Sequence, residues 1–230
     1  MKDSFDITIP ETLRDIKLSQ WMKYSKILEI NKDAEDKDFL NKKAIEIFCK
    51  IDYKEIDKIP FSAFGDIVSH LSNILSQKSE LVEKFSLIGT DDEVAEFGFI
   101  PNLDKMSYGE YQDLENYIFD EQNLHRAMAV LYRPIMYKKG HRYAIHEYTG
   151  TDYLKEVMKD TPLDVAFGAK VFFWRLARKL GHYTMDSTLQ QLQEQRANSS
   201  EPLSEKNGEL IKQYTHSLKE MLKKSEKLLG

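Results

Sequence analysis

A chain of 230 residues, 41% hydrophobic and 31% charged, can bury a real core and is too apolar to be disordered throughout. Its one cysteine excludes a disulfide framework and a four-cysteine zinc site, and its net charge of −5 argues against a dedicated nucleic-acid binder. No uninterrupted apolar run approaches the roughly 18 residues that a membrane helix needs, and Met1–Pro10 holds no apolar stretch of signal-peptide length, so the expected setting is a cytosol or the interior of a larger particle, with no membrane partner.

From the N-terminus, Ser4–Pro10 alternates apolar and polar residues through Phe5, Ile7 and Ile9, and Ile16–Leu18 offers a second short strand. Ser19 is placed to cap a helix carrying Trp21, Met22, Tyr24, Ile27 and Leu28. A charged loop over 31–38 leads to a helix over about 38–51, with Phe39, Leu40, Ile45, Phe48 and Ile51 turned inward. Cys49 lies in that apolar pattern and reads as a small buried hydrophobe. Pro60 opens a further helix through Phe64, Ile67, Val68, Leu71, Ile74 and Leu75, since a proline near a helix start forfeits no intrahelical hydrogen bond.

Lys84–Ile88, a polar Gly-initiated loop and Val94–Ile100 predict a β-hairpin. Ser107-Tyr-Gly-Glu110 is a capping box for a helix presenting Tyr111, Leu114, Tyr117 and Ile118. The next helix begins near Asn123 and is ended by Pro134, which disfavours helical geometry in the residue before it. Tyr137–Tyr148 suggests a second hairpin and Asp152–Met158 a short helix. Pro162 precedes a helix over Leu163–Leu180 whose apolar residues cover most of its circumference, the expected centre of the core, with Gly181 as its stop. Composition then shifts: 197–204 reads as a linker and 205–230 as an amphipathic helix with Ile211, Tyr214, Leu218, Met221 and Leu228 at spacings of three and four. The expected fold class is mainly α with small β-hairpins (α+β): a helical body over 1–196, the linker, and the C-terminal helix.

Charge is unevenly spread. Residues 91–121 hold ten acids against Lys105, whereas 125–182 hold eleven bases against five acids. These are either two solvated faces of one fold or complementary surfaces that steer copies together head to tail.

Three groups carry potential chemistry. Glu121 and His125, at i and i+4 on one helical face, could contribute to a metal site, but two ligands do not make one, and the pair reads otherwise as a surface feature near a helix start. Glu110, Asp113 and Glu115 could do acid–base work if burial split their pKa values, but capping and the helix dipole already account for acids there. The basic aromatic stretch Tyr132–Tyr143 could stack bases of single-stranded nucleic acid or be an ordinary hairpin beside an acidic helix. No phosphate-binding glycine loop, nucleophile elbow or His-Glu-x-x-His motif is present.

Gly98-Phe-Ile-Pro-Asn-Leu103, Gly109-Glu-Tyr-Gln-Asp-Leu-Glu115 and His125-x-x-Met-Ala-Val-Leu-Tyr-Arg-Pro-Ile135 together resemble a protein type encoded among virion and tail-assembly genes of large tailed bacteriophages, as in crass-like phages of Bacteroidales hosts and their relatives. The likeness covers roughly residues 84–180. It implies a non-enzymatic virion structural or assembly protein of the tail or neck, either a ring or connector component or a tail-assembly chaperone, in the virion or the host cytoplasm. Other virion or tail proteins and copies of the chain itself are the implied partners. The resemblance brings no catalytic, metal-binding or cofactor-binding residues. Within that context, aromatic and arginine anchors are the expected interaction residues: Tyr108, Tyr111, Tyr132, Arg133 and Tyr137 in the body, each equally able to pack in a core, and Tyr214, Leu218 and Met221 in the C-terminal helix. The competing expectation is a phage-encoded nucleic-acid-binding protein, packaged or expressed during infection.

Overall fold

Two distant segments of backbone hold the start of the chain to its last described helix. The computed structural model describes residues 7–32, 37–88, 93–140 and 142–178. Within it, the Leu18 N–H donates to the Thr161 carbonyl and the Leu163 N–H to the Ile16 carbonyl, both at 2.8 Å. The expected strand at Ile16–Leu18 is therefore a single antiparallel bridge between Lys17 and Pro162. Helix α1 (Leu18–Ile30) begins at once behind it. Its cap is Lys17 rather than Ser19: the Lys17 backbone is extended, and its N–H donates to Gln20 Oε1 at 3.0 Å. Residues 7–10 form no strand; the Pro10 carbonyl pairs instead with His70 Nε2 at 3.0 Å. Residues 1–6 lie outside the described residues.

Helix α2 (Lys37–Phe48) packs on α1 through Tyr24 and Phe48, whose rings meet edge-on at 5.1 Å. Gln20 Nε2 donates across to the Ile47 carbonyl at 2.6 Å. Cys49 is buried, as the apolar pattern implied, and burial pushes its thiol up to about 11. The short helix α3 (Tyr53–Ile56) is capped by Asp52, which accepts from the Lys54 N–H. Helix α4 (Phe61–Leu75) starts directly after Pro60 and buries Ile67, Leu71 and Ile74, the i, i+4, i+7 stripe visible in the sequence.

The two expected hairpins are one sheet. Strands β1 (Lys84–Ile88), β2 (Val94–Phe99), β3 (Tyr132–Lys139) and β4 (Arg142–Ile145) form a four-stranded antiparallel sheet in chain order. Its centre is β2 against β3, with Phe97 opposite Pro134, Gly98 opposite Arg133 and Phe99 opposite Tyr132. Helices α5 (Tyr108–Tyr117) and α6 (Leu124–Leu131) fill the connection between those two strands. α6 passes into β3 without a loop: Leu131 is its last residue and Tyr132 is already extended. An aromatic cluster forms one side of the sheet. Phe85 stacks on Phe97 at 5.6 Å, and Tyr132 meets Phe85 and Phe99 edge-on at 5.1 and 5.3 Å. Tyr143 lies across Gly98, where any Cβ would overlap its ring, and donates its hydroxyl to the Phe99 carbonyl at 2.8 Å.

The expected helix over Asp152–Met158 is instead a run of turns ending in a 3-10 turn, Val157–Asp160. Thr161 precedes Pro162 and is extended, so a full α-helix has no room to continue there. Helix α7 follows and is described over 163–178. Its first turns are the core element expected: Leu163, Val165, Ala166 and Ala169 have no accessible surface. Gly168 lets the helix approach the carbonyl of Glu80 so closely that a Cβ could not fit.

The first of two compact units ends at Lys170. Of the unit that starts at Val171, the structure describes 171–178, where Phe172 and Phe173 meet edge-on at 5.2 Å and Arg178 lies over Trp174 at 5.1 Å. The Gly181 stop, the 197–204 linker and the C-terminal helix with Tyr214, Leu218 and Met221 fall outside the described residues. Among the described residues no helix is long and apolar enough to cross a membrane.

Candidate interaction surface

The capping box at the start of α5 forms as its sequence dictates and then does something further. Ser107 Oγ accepts from the Glu110 N–H at 3.3 Å, and the Ser107 N–H donates to Glu110 Oε2 at 2.6 Å. The other carboxylate oxygen, Oε1, accepts from Arg133 at 2.7 Å. Both side chains are buried, each only 8% exposed. The Arg133 guanidinium also lies 5.6 Å from the centre of the Tyr148 ring. The Tyr148 hydroxyl in turn donates to the Asp113 carboxylate. A cap, a strand and the segment after β4 are thus tied to the first turns of one helix.

Burial alone would raise the Glu110 carboxyl. The hydrogen bonds of Ser107 and the charge of Arg133 outweigh it and hold the group below the ordinary carboxylate range. The Tyr148 phenol is pushed up by burial and by its bond to Asp113. The Glu110 carboxyl is thus held as the charged partner of Arg133, and the Tyr148 phenol as the neutral donor to Asp113. The arrangement fixes structure.

Glu121 and His125 do not face one another as a surface pair. Glu121 Oε2 accepts from Trp21 Nε1 at 2.7 Å, and Oε1 accepts from Lys170. His125 is buried within α6, and its Nδ1 has no hydrogen-bond partner among the described residues. Burial, with Lys159 and Arg126 nearby, lowers its pKa from the usual histidine value. Among the described residues no three His, Cys, Asp or Glu side chains gather where a metal ion could bind.

Two of the five body residues expected at an interaction surface are core residues. Tyr132 is fully buried in the aromatic cluster, its hydroxyl donating to the Val82 carbonyl at 2.7 Å. Arg133 is spent on Glu110 and Tyr148. The reason is positional: alternating sides of β3 meet the aromatic cluster and the start of α5, so both faces of the strand are covered there. Tyr108, Tyr111 and Tyr137 do reach the surface, at 75, 52 and 62% exposure. Tyr108 and Tyr111 stand at i and i+3 on α5, immediately beside the Glu110 clamp. Among the other outward apolar side chains, not singled out from the sequence, are Phe61 at the start of α4 and Met136 next to Tyr137. Phe61 follows the proline that opens its helix, the one local sign that it stands outside the buried stripe.

Comparison with protein-family models, curated protein sequences and solved structures returns no match for this chain.

Proposed function

We propose that this chain is a non-enzymatic assembly protein that works by binding other proteins, as a ring or connector component or an assembly chaperone of a bacteriophage tail or neck. The observation that carries the reading is the pair Tyr108 and Tyr111, exposed on a helix whose first turn is clamped by the buried Glu110–Arg133 pair. Exposed tyrosines on a rigid support contribute interface area with little ordering cost. Glu110 and Asp113, two of the three acids on α5 that could have suggested catalysis, are engaged in holding that support in place.

The resemblance of residues 84–180 to virion and tail-assembly proteins supplies the setting, with the virion or the host cytoplasm as location. The nucleic-acid alternative rested on Tyr132–Tyr143. In that stretch Tyr132 and Arg133 turn inward and Tyr143 lies across Gly98, which favours the protein-binding reading.

The test is a Tyr108→Ser/Tyr111→Ser double variant followed by light scattering of the purified protein and mass spectrometry of particles assembled with it. The expected result is an unchanged circular-dichroism spectrum and melting temperature, with association or incorporation reduced at least about tenfold. Association and incorporation equal to the unaltered chain would overturn the reading.

A further inference from the structure

Beside the hydrogen bond that stitches α1 to α2, from Gln20 to the Ile47 carbonyl, opens a cleft of about 740 Å³. Ile27 and Ile47 are among its walls, and five lysines line it: Lys17, Lys23, Lys26, Lys43 and Lys50. Its two acids are already engaged. Asp160 accepts from Lys17 at 2.9 Å and Glu46 from Lys43 at 2.6 Å, and the Lys43 ammonium is further held 4.5 Å from the Tyr53 ring centre. Lys23, Lys26 and Lys50 are left without a carboxylate among the described residues, all exposed at the cleft.

Two features of this trio work against the free protein. Lys23 and Lys26 stand at i and i+3 on one helix, where like charges repel. Lys50 has φ of +55°, the one non-glycine residue in the left-handed region among those described. It sits two residues past the end of α2, a position where glycine ends helices at no steric cost. A lysine there keeps its strain and turns a third ammonium to the cleft. A multiply charged anion would offset the repulsion.

We infer that the α1–α2 cleft binds a small ligand carrying two or more linked phosphate groups. Three kinds of evidence select that class. Lysine binds phosphate as a movable point charge, without the planar fork that matches carboxylates two oxygens at a time. The volume falls in the range of small-molecule sites. No aromatic ring lines the cleft, so it offers no platform on which the bases of a nucleic-acid strand could stack. This inference does not rest on the assembly reading and survives its failure.

Calorimetric titration of the full chain with inorganic tripolyphosphate tests it. Expected is one saturable site, weakening at least about tenfold between about 50 and 200 mM salt. Lys23→Gln and Lys26→Gln should each weaken it about tenfold. Lys50→Gly is the sharpest arm: it should weaken binding by a similar factor while raising the melting temperature of the free protein, because glycine removes the backbone strain. Lys139→Gln, a charge change on β3, should leave the affinity unchanged. The proposal is overturned by absence of binding at low salt, by equal loss in Lys139→Gln, by citrate binding as tightly as tripolyphosphate, or by an oligothymidine strand binding more tightly than either.

Discussion

Arg133 and Lys50 occupy the same place relative to a helix, two residues past its end, and otherwise share nothing but their charge. After α6 the backbone goes straight into an extended strand, and Arg133 is carried inward against Glu110 and Tyr148. After α2 it turns left-handed, and Lys50 is left at an open cleft with no carboxylate paired to it among the described residues. The conformation of two or three residues decides whether a cation becomes part of the core or part of a binding surface. Residue type alone does not.

The largest effect that would break this contrast is at Glu110. Glu110→Ala strands a buried guanidinium, and urea unfolding should show a loss of about 3–5 kcal/mol; a loss below about 1 kcal/mol, the scale of an exposed ion pair, would place Arg133 in the same class as Lys50. Next comes Tyr132→Phe, which removes only the hydroxyl that satisfies the Val82 carbonyl and should cost about 1 kcal/mol by the same measurement.

The third and smallest effect sharpens the contrast through acid. His125 has a folded pKa below its ordinary 6.5, so between the two values the unfolded chain holds more protons. Its contribution is complete above about pH 6.5 and lost as pH falls below it. Glu110, also depressed, adds a second loss that begins below its ordinary 4.5. Urea midpoints followed downward from neutral pH should therefore begin to fall below about pH 6.5 and fall further below about pH 4.5, and His125→Asn should remove the loss that begins at the higher pH while keeping the other. Lys23→Gln, a substitution on α1 that changes neither His125 nor Glu110, should leave the profile unaltered.

What could be read from the sequence was what neighbouring residues decide among themselves. Ser107 and Glu110 are three apart and formed their box; Pro60 opened α4, and α6 began at Leu124, directly after Asn123, close to where the pattern implied. The central pairing of the sheet was not legible, because Phe97 and Pro134 lie on either side of two helices along the chain. The aromatic and arginine content of Tyr132-Arg133 fits a core and an interface equally well. Its burial depends on Glu110, Phe85 and Tyr148, none of them nearby in sequence. The α1–α2 cleft was hidden for the same reason: Lys23 and Lys26 look like an ordinary solvated face until packing brings Lys50 alongside.

The loopless passage from α6 to β3 has a consequence for how the sheet finds its alignment. Most antiparallel neighbours inherit their alignment from a tight turn, but β3 has none on its leading side. A slip of one residue would send Tyr132 out and push Arg133 into the aromatic cluster. The docking of a helix with all but one of its eight residues buried therefore acts as the ruler for the strand that follows. Any change that rotates α6 about its axis is read out in the residues that follow at once, Tyr132 and Arg133, as an error of phase.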